Sequence, residues 1–181
     1  GWGWTWEKGW TKKAGLTWEY PFGNEADDPY REYAEQVPVL QVSCNDALAF
    51  CKWLSEENRE NYRIPLEYEW EIFAANMNVP VMQKYTMHKN YKIPATTVEF
   101  IQLLIKLLHN RKVVLPGLLW EWTDSWFDAY PGGTPQDEYG TTYKVLRGGS
   151  LMSNNMQKSR DYRFRRCPTA RSPFYSFRIL F

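Results

Sequence analysis

Thiols and imidazoles are the side chains that most often bind soft metals or attack substrates, and this chain of 181 residues holds three cysteines and two histidines. Cys44 and Cys51 are seven residues apart in a predicted helix, so roughly 10 Å separates them along its axis. A disulfide needs Cα atoms within about 7 Å, which excludes a bond between these two. Cys167 can pair with at most one of them, and we expect all three thiols to be reduced or buried.

The two histidines do not form a recognisable metal site. His88 and His109 are far apart in the sequence, and no carboxylate stands at metal-site spacing from either. His109 falls in the last turn of a predicted helix, where the helix dipole favours a positive charge. We interpret both as surface or capping residues.

Carboxylates recur in two places that suit acid–base chemistry or ion pairing. Glu67, Glu69 and Glu71 alternate along a predicted helix, so they do not all point in one direction. We predict that Glu67 and Glu71 share a face that is solvated or meets Arg63. Glu121 lies between two tryptophans in a predicted half-buried strand, where pairing with a backbone group or an arginine is favoured over a role as general base.

Arginine and aromatic residues are interleaved in the last part of the chain, although the formal net charge of the whole is only +1. This combination is enriched at binding hot spots. Arg163, Phe177 and Arg178 are interpreted as structural, because alternate strand residues point inward. Trp126, Phe127 and Tyr130, in an earlier loop, are expected to border the same surface. The candidates for an exposed ligand-binding face in this part are Arg160, Arg165, Arg166, Arg171, Phe174 and Tyr175.

The sequence predicts that helices come first and strands follow, which is an α+β order, and these elements must position the residues above. Residues 43–46 supply N-cap chemistry for a helix that ends near Asn58. A second helix is predicted to open at Pro65, and the most amphipathic stretch predicts a third over residues 96–111. Short β-prone runs cut by Gly and Pro follow at residues 118–122, 143–146, 162–165 and 176–180.

Composition excludes several classes of function. A net charge of +1 gives no global field that would direct the chain to nucleic acid or an anionic membrane, and no nucleic-acid module motif is present. No apolar run approaches the ~18 residues of a spanning helix, and residues 1–4 do not begin a visible signal peptide. We therefore expect no nucleic-acid partner and no membrane insertion by this chain. The aromatic content of 17% suits a compact, loop-rich domain or one that presents aromatics to a ligand.

Several ordered segments resemble the formylglycine-generating-enzyme (sulfatase-modifying-factor) superfamily. They read VPVLQVS with the helix start DALAFCKWL, YRIPLEYEWE, WEWTDSW, VLRGGS and the terminal Phe177-Arg178. The resemblance implies an α+β fold of the C-type-lectin-like formylglycine-generating-enzyme type, with two main helices, short twisted antiparallel sheets and many loops. It implies a single domain over residues 1–181 that is truncated at its N-terminus, because the strands that usually open the fold are absent. Residues 76–115 depart from the family pattern and contain the predicted helix.

The resemblance implies more than one function, since relatives include copper-dependent oxidases, iron-dependent sulfoxide synthases, pyoverdine-maturation proteins and ligand-binding variable proteins. The copper enzymes place two thiolates after Gly-Gly-Ser, whereas residues 151–167 hold Cys167 alone. The iron enzymes use three histidines, and this chain has two. Leu118 replaces the asparagine of a calcium loop, so calcium as a structural ion is expected only in a disrupted loop.

The leading hypothesis is a non-catalytic ligand-binding domain with a C-terminal recognition face, no cofactor, and no catalytic or metal-binding residues of its own. Its partner is expected to be a protein, peptide or glycan with some anionic character. One alternative is a metal-dependent oxidase or sulfoxide-synthase-type enzyme whose metal ligands lie outside this chain. Another is a scaffolding or regulatory domain of a larger protein. A bacterial cell-surface or periplasmic location is implied by the resemblance alone.

Overall fold

After an N-terminal pair of strands, helices precede a four-stranded sheet, in the α+β order that the sequence predicts. The computed structural model describes residues 2–6, 10–23, 30–77, 97–108 and 116–181, with only the backbone of Trp6, Thr97 and Val98. The helices are α1 (Tyr30–Tyr33), α2 (Cys44–Asn58), α3 (Glu67–Asn76) and α4 (Thr97–Leu108), and a 3-10 turn, Ala34–Gln36, follows α1. The strands are β1 (Trp2–Trp6), β2 (Trp10–Ala14), β3 (Trp120–Trp126), β4 (Lys144–Arg147), β5 (Phe164–Arg166) and β6 (Tyr175–Phe177).

Helix α2 begins where the N-cap chemistry predicts. The Ser43 hydroxyl accepts from the Asp46 N–H at 3.1 Å, and the Asp46 carboxylate accepts from the Ser43 N–H at 2.8 Å. This reciprocal capping box satisfies two backbone donors that the helix itself leaves unpaired. The helix ends at Arg59, whose φ of 57° is left-handed. Its buried face consists of Cys44, Ala47 and Cys51.

Helix α3 begins at Glu67, two residues after the start that Pro65 predicts. The Glu69 carboxylate accepts the Leu66 N–H at 2.8 Å and so closes the first turn there. The Pro65 carbonyl is engaged outside the helix, because it accepts the Asp124 N–H of β3 at 2.9 Å. The lead-in to α3 is thereby fixed to the sheet.

Helix α4 confirms the helix predicted in the divergent segment. Four of its side chains are buried at the spacing of one helical face: Phe100, Ile101, Leu104 and Leu107. They join the core cluster, and the Phe100 ring meets Phe174 edge-on with centroids 5.0 Å apart. The ends predicted at 96 and 111 lie outside the described residues. None of the described helices is both long and apolar enough to cross a bilayer.

The four-stranded sheet has the order β5-β4-β3-β6, with antiparallel β3–β4 and β4–β5 pairs and a parallel β3–β6 pair. Glu121 lies opposite Arg147, and Trp122 lies opposite Leu146. Because neighbouring strand residues point to opposite faces, the first pair lies toward α3 and the second toward the core beside α2. A separate antiparallel hairpin joins β1 and β2, with Trp4 opposite Lys12.

Candidate functional site

The α3 side of the sheet is built around a fully buried arginine. Arg147 pairs with the carboxylates of Glu67 and Glu71, at 3.3 and 2.5 Å. Its guanidinium also donates to the backbone carbonyls of Arg160 and Asp161. The ion pairs therefore hold the chain that follows β4 against the back of the sheet.

A second arginine completes this ion-pair cluster. Arg163 donates to both oxygens of Glu67, at 2.7 and 2.8 Å, and to the carbonyl of Asp128 at 2.8 Å. The Tyr130 hydroxyl lies 3.2 Å from Glu67 and 3.3 Å from Glu71. Partial burial of this hydroxyl, followed by the charge of Glu67, raises the pKa of Tyr130 to about 12, although the side chain as a whole is exposed. The two carboxylates are thus matched by two guanidiniums.

Glu67 and Glu71 share a face as predicted, since both contact Arg147, and Glu71 is partly exposed, but the expectation that Glu67 is solvated or meets Arg63 is wrong. Glu67 is buried, and the carboxylate that meets Arg63 is Glu69, in a two-pronged contact at 2.6 and 2.7 Å. The contact with Arg63, followed by the Leu66 N–H, lowers the pKa of Glu69 to about 2. Glu67 does not meet Arg63 because it is paired with Arg163, which is 96 residues away in the chain.

Glu121 pairs with an arginine, as predicted. Both of its oxygens accept from Arg178, and one also accepts the Trp70 indole N–H at 3.0 Å. The Arg178 guanidinium lies over the Phe73 ring, 3.7 Å from its centroid. Arg178 is thereby confirmed as structural, and Glu121 has the partners of a buried ion pair, not those of a general base.

A row of unlike side chains crosses one end of the sheet and is called here the Trp–Lys–Arg row. Trp126 of β3 lies opposite Lys144 of β4, which lies opposite Arg166 of β5. The Lys144 ammonium lies 4.2 Å from the centroid of the Trp126 ring and 2.6 Å from an oxygen of Asp124. The Arg166 guanidinium lies over the Phe164 ring at 4.0 Å. Facing residues of adjacent strands share a face, so the three side chains lie side by side.

Four residues of the predicted ligand-binding face are exposed in the structure, and two more are held in ion pairs. Arg165 is half-buried and pairs with Glu138, while Arg171 donates to both oxygens of Asp46 at 2.8 Å. The exposed four are Trp126, Tyr130, Arg160 and Arg166.

The predicted exposure of the other three residues is wrong. Phe174 is buried between Trp10 and Phe100, and Tyr175 meets Trp122 edge-on with centroids 5.6 Å apart. Phe127 is buried beneath two arginines. Burial raises the pKa of Tyr175, and a hydrogen bond from Arg166 partly offsets that rise. Aromatic residues beside arginine in the sequence therefore belong in part to the core.

Sequence reasoning did not single out Lys144 or Asp124. Lys144 opens a strand that continues with the apolar Val145 and Leu146, and period-two alternation places it on the face of Leu146. That pattern alone indicates a cation near the core that requires a carboxylate partner. Its placement beside Trp126 depends on an irregularity in β3 between residues 122 and 126, for which the sequence offers no clear pattern.

The glycine pair before the C-terminal segment has a structural role. Gly148 and Gly149 have φ values of 97° and 75°, a conformation that other residues rarely adopt. A Cβ on Gly149 would lie 2.8 Å from the Cγ of Lys158. Burial of Lys158 lowers the pKa of its amine to about 8.

The thiols do not come together as a pair suited to Cu(I). Cys44 is fully buried and donates to the Thr123 carbonyl at 3.8 Å, and burial raises its pKa to about 12. Burial also raises the pKa of Cys51. Cys167 is exposed, and all three cysteines are free, in agreement with the expectation that they are reduced or buried. One exposed thiol and two protonated buried thiols do not fit a two-thiolate copper site.

Other metal sites find little support in the described residues. No group of three or more His, Cys, Asp or Glu side chains is placed there to hold a metal ion. Leu118 is buried, and its carbonyl accepts the Leu151 N–H at 3.1 Å, so it does not fit a calcium ligand. His88 and His109 lie outside the described residues.

Curated relatives of the chain are formylglycine-generating enzymes. The enzyme of Mus musculus is 27% identical over 182 aligned residues, which cover 86% of this chain and 45% of that protein. The enzyme of Bos taurus is 27% identical over 186, covering 86% and 44%. The enzyme of Mycobacterium tuberculosis is 35% identical over 69 residues, 38% of this chain. The chain thus spans less than half the length of these relatives.

Solved structures and a family model agree with these matches. PvdO from Pseudomonas aeruginosa has a TM-score of 0.52 at 19% identity, covering 80% of this chain and 61% of that one. Treponema denticola variable protein 1 has a TM-score of 0.54 at 18% identity, covering 80% and 70%. At such identities the likeness is one of fold. The model of the sulfatase-modifying factor enzyme 1-like domain matches residues 3–102, more than half of the chain. The chain therefore belongs to the family of sulfatase-modifying factor enzyme 1-like domains.

Proposed function

We propose that this chain is a non-catalytic ligand-binding domain that presents one end of its four-stranded sheet to a partner with anionic character. The partner is a protein, peptide or glycan that meets the exposed residues of the C-terminal half. The ion-pair cluster around Arg147 holds the sheet and its loops in place. A binding surface on such a support loses little conformational entropy when a ligand arrives.

The observation that carries this proposal is the uncompensated charge of Arg166. Arg163, Arg171 and Arg178 each hold a carboxylate through two contacts. Arg166 is exposed and, within the described part of the chain, makes no ion pair with a carboxylate. Arg160 is mostly exposed, and its ion pair is a 3.5 Å contact with its neighbour Asp161. Exposed arginines and exposed aromatic residues together have the composition of a binding surface.

The state of the thiols also supports a non-catalytic role. The copper chemistry of the family requires two thiolates, and the residues described here do not fit such a pair. The carboxylates best placed for proton transfer, Glu67 and Glu121, are each bound by guanidinium groups. Carboxylates held in this way belong to structural ion pairs and are not positioned as proton-transfer groups.

The test is a panel of acidic and neutral peptides and glycans, with binding measured by biolayer interferometry. We expect the wild-type chain to capture at least one acidic ligand. The double variant Arg160→Ser/Arg166→Ser should bind it at least about tenfold more weakly, since hot-spot arginines contribute at this level. Both side chains are exposed, so Tm should remain near the wild-type value.

The matched control is Lys52→Ser/Lys106→Ser, which removes the same charge from exposed positions on α2 and α4. It should leave binding unchanged. Equal weakening by both double variants would indicate a nonspecific charge effect and contradict the proposal. Failure of the wild-type chain to capture any member of the panel would contradict it as well.

A second candidate is an enzyme of the same family whose metal ligands lie outside this chain. The observation that favours it is that the curated relatives are formylglycine-generating enzymes and align with 86% of this chain. Because the chain spans less than half of those proteins, residues elsewhere in a longer protein would have to complete the site.

Copper stoichiometry tests whether this chain holds a copper site of its own. After reconstitution with Cu(I), we expect far less than one tightly bound equivalent, because Cys167 lacks a thiolate partner. Elemental analysis with a competing chelator makes the measurement, and Cys167→Ser is the control. One tight equivalent that disappears in Cys167→Ser would contradict this prediction and identify Cys167 as a copper ligand within this chain.

A further inference from the structure

We propose that the Trp–Lys–Arg row binds an acidic oligosaccharide, one built of sugar rings that carry carboxylates. This inference rests on the proposed ligand-binding function and names its ligand class. Trp126 lies against the apolar face of a sugar ring, Asp124 accepts a sugar hydroxyl, and Arg166 binds a carboxylate. Lys144 lies between them and holds both the indole and the Asp124 carboxylate in position.

Arg166 is pre-organised for a carboxylate. Its guanidinium lies over Phe164, whose ring stacks on Trp120 with centroids 4.6 Å apart. It donates to the Arg165 carbonyl at 2.8 Å and to Tyr175, so three of its five N–H donors have no partner among the residues that the structure describes. A planar guanidinium with adjacent unused donors matches a carboxylate in a two-pronged contact.

Trp126 and Asp124 supply what a sugar ring needs. The indole is exposed, and the Lys144 ammonium lies over its ring, so its orientation is set without burying the whole surface. The indole therefore offers an apolar surface to the C–H groups of a pyranose. Asp124 is partly exposed and gives one oxygen, Oδ1, to Lys144. Its second oxygen is an acceptor of the kind that hydroxyl groups require.

The spacing of the row requires a ligand longer than one ring. Trp126 and Arg166 stand on strands separated by β4, so their Cα atoms are roughly 10 Å apart, two interstrand spacings. A single sugar does not place its own carboxylate that far from the ring stacked on the indole. A carboxylate on the next ring or the one after does, which makes an oligosaccharide the ligand that fits.

Asp124 distinguishes the sugar from an acidic peptide. A peptide of glutamates brings carboxylates close to the exposed Asp124 oxygen, and like charges there weaken binding. It also has few hydroxyl donors and no apolar ring face for the indole. An acidic sugar alternates hydroxyls with carboxylates, so donors meet Asp124 while the negative group meets Arg166. An acceptor on β3, Asp124, followed by cations on β4 and β5, Lys144 and Arg166, therefore favours the sugar.

The experiment measures affinity by isothermal titration calorimetry with three ligands of equal length: an oligogalacturonate, its methyl ester, and an oligoglutamate. We expect the oligogalacturonate to bind and the uncharged ester to bind at least about tenfold more weakly, because the charge-assisted contact is lost. Arg166→Gln and Trp126→Ala should each weaken oligogalacturonate binding by a similar factor. Lys52→Gln, which removes an exposed cation of α2 outside the row, should change it less than about twofold.

The other results overturn the inference in distinguishable ways. Oligoglutamate binding as tightly as oligogalacturonate would identify an acidic-peptide surface, which rejects the sugar but retains a ligand-binding domain. Oligogalacturonate binding that is insensitive to Arg166→Gln and Trp126→Ala would locate the site elsewhere. Absence of binding to all three ligands rejects the sugar, and only failure of the wider peptide and glycan panel rejects the proposed function too. Tm values of both variants within a few degrees of wild type establish that the fold persists.

Discussion

Glu67→Gln is expected to lower the free energy of unfolding by about 3–5 kcal/mol, the cost of breaking a buried ion pair from one side. Gln keeps the shape of the side chain but removes the charge that Arg163 and Arg147 both contact. Arg147 is fully buried and retains Glu71, whereas Arg163 loses its carboxylate altogether. Urea unfolding monitored by tryptophan fluorescence measures the difference.

The control for this substitution lies two residues along the same helix. Glu69→Gln breaks the contact with Arg63, a pair much more exposed than that of Glu67, and weakens the cap at Leu66. Its expected cost is about 1 kcal/mol, because exposed pairs contribute little. Equal losses of unfolding free energy in the two variants would contradict this prediction, since they would mean that burial around Arg147 does not decide the cost of breaking the ion pair.

Local elements of this fold were readable from the sequence, because the interactions that make them are short-range. The capping box of α2 joins Ser43 to Asp46, three residues away, and the apolar spacing of α4 repeats within two turns. The start of α3 was placed two residues early, at Pro65, because the interaction that displaces it comes from Asp124 of β3. The parallel pairing of β3 with β6 follows from no local pattern.

The candidate site was only partly predictable for the same reason. Arg160, Arg166, Trp126 and Tyr130 are exposed as expected. Phe174 and Tyr175 stand in the same arginine-rich stretch, yet Phe100 and Trp122 from distant parts of the chain cover them. Composition indicated that a surface of arginine and aromatic residues exists. It did not indicate which of these arginine and aromatic residues are buried in the core, because burial depends on contacts across the whole fold.

Ile101→Asp is expected to cost more than about 4 kcal/mol, enough to unfold a marginally stable domain. Ile101 is fully buried in α4 among the residues of the core cluster, so the change removes packing and also places a carboxylate among apolar side chains. Ile101→Val should cost about 0.5–1.5 kcal/mol and keeps the measurement accessible if the aspartate variant does not fold.

The same substitution one residue along provides the control for Ile101→Asp. Gln102 is exposed, so Gln102→Asp should change the free energy of unfolding by no more than about 0.5 kcal/mol. Differential scanning calorimetry of the three variants ranks the costs. If Ile101→Asp were as stable as the wild type, α4 would not pack on the core. Equal destabilisation by Gln102→Asp would attribute the effect to helix propensity. Only a cost confined to the buried position makes α4 an integral part of this domain.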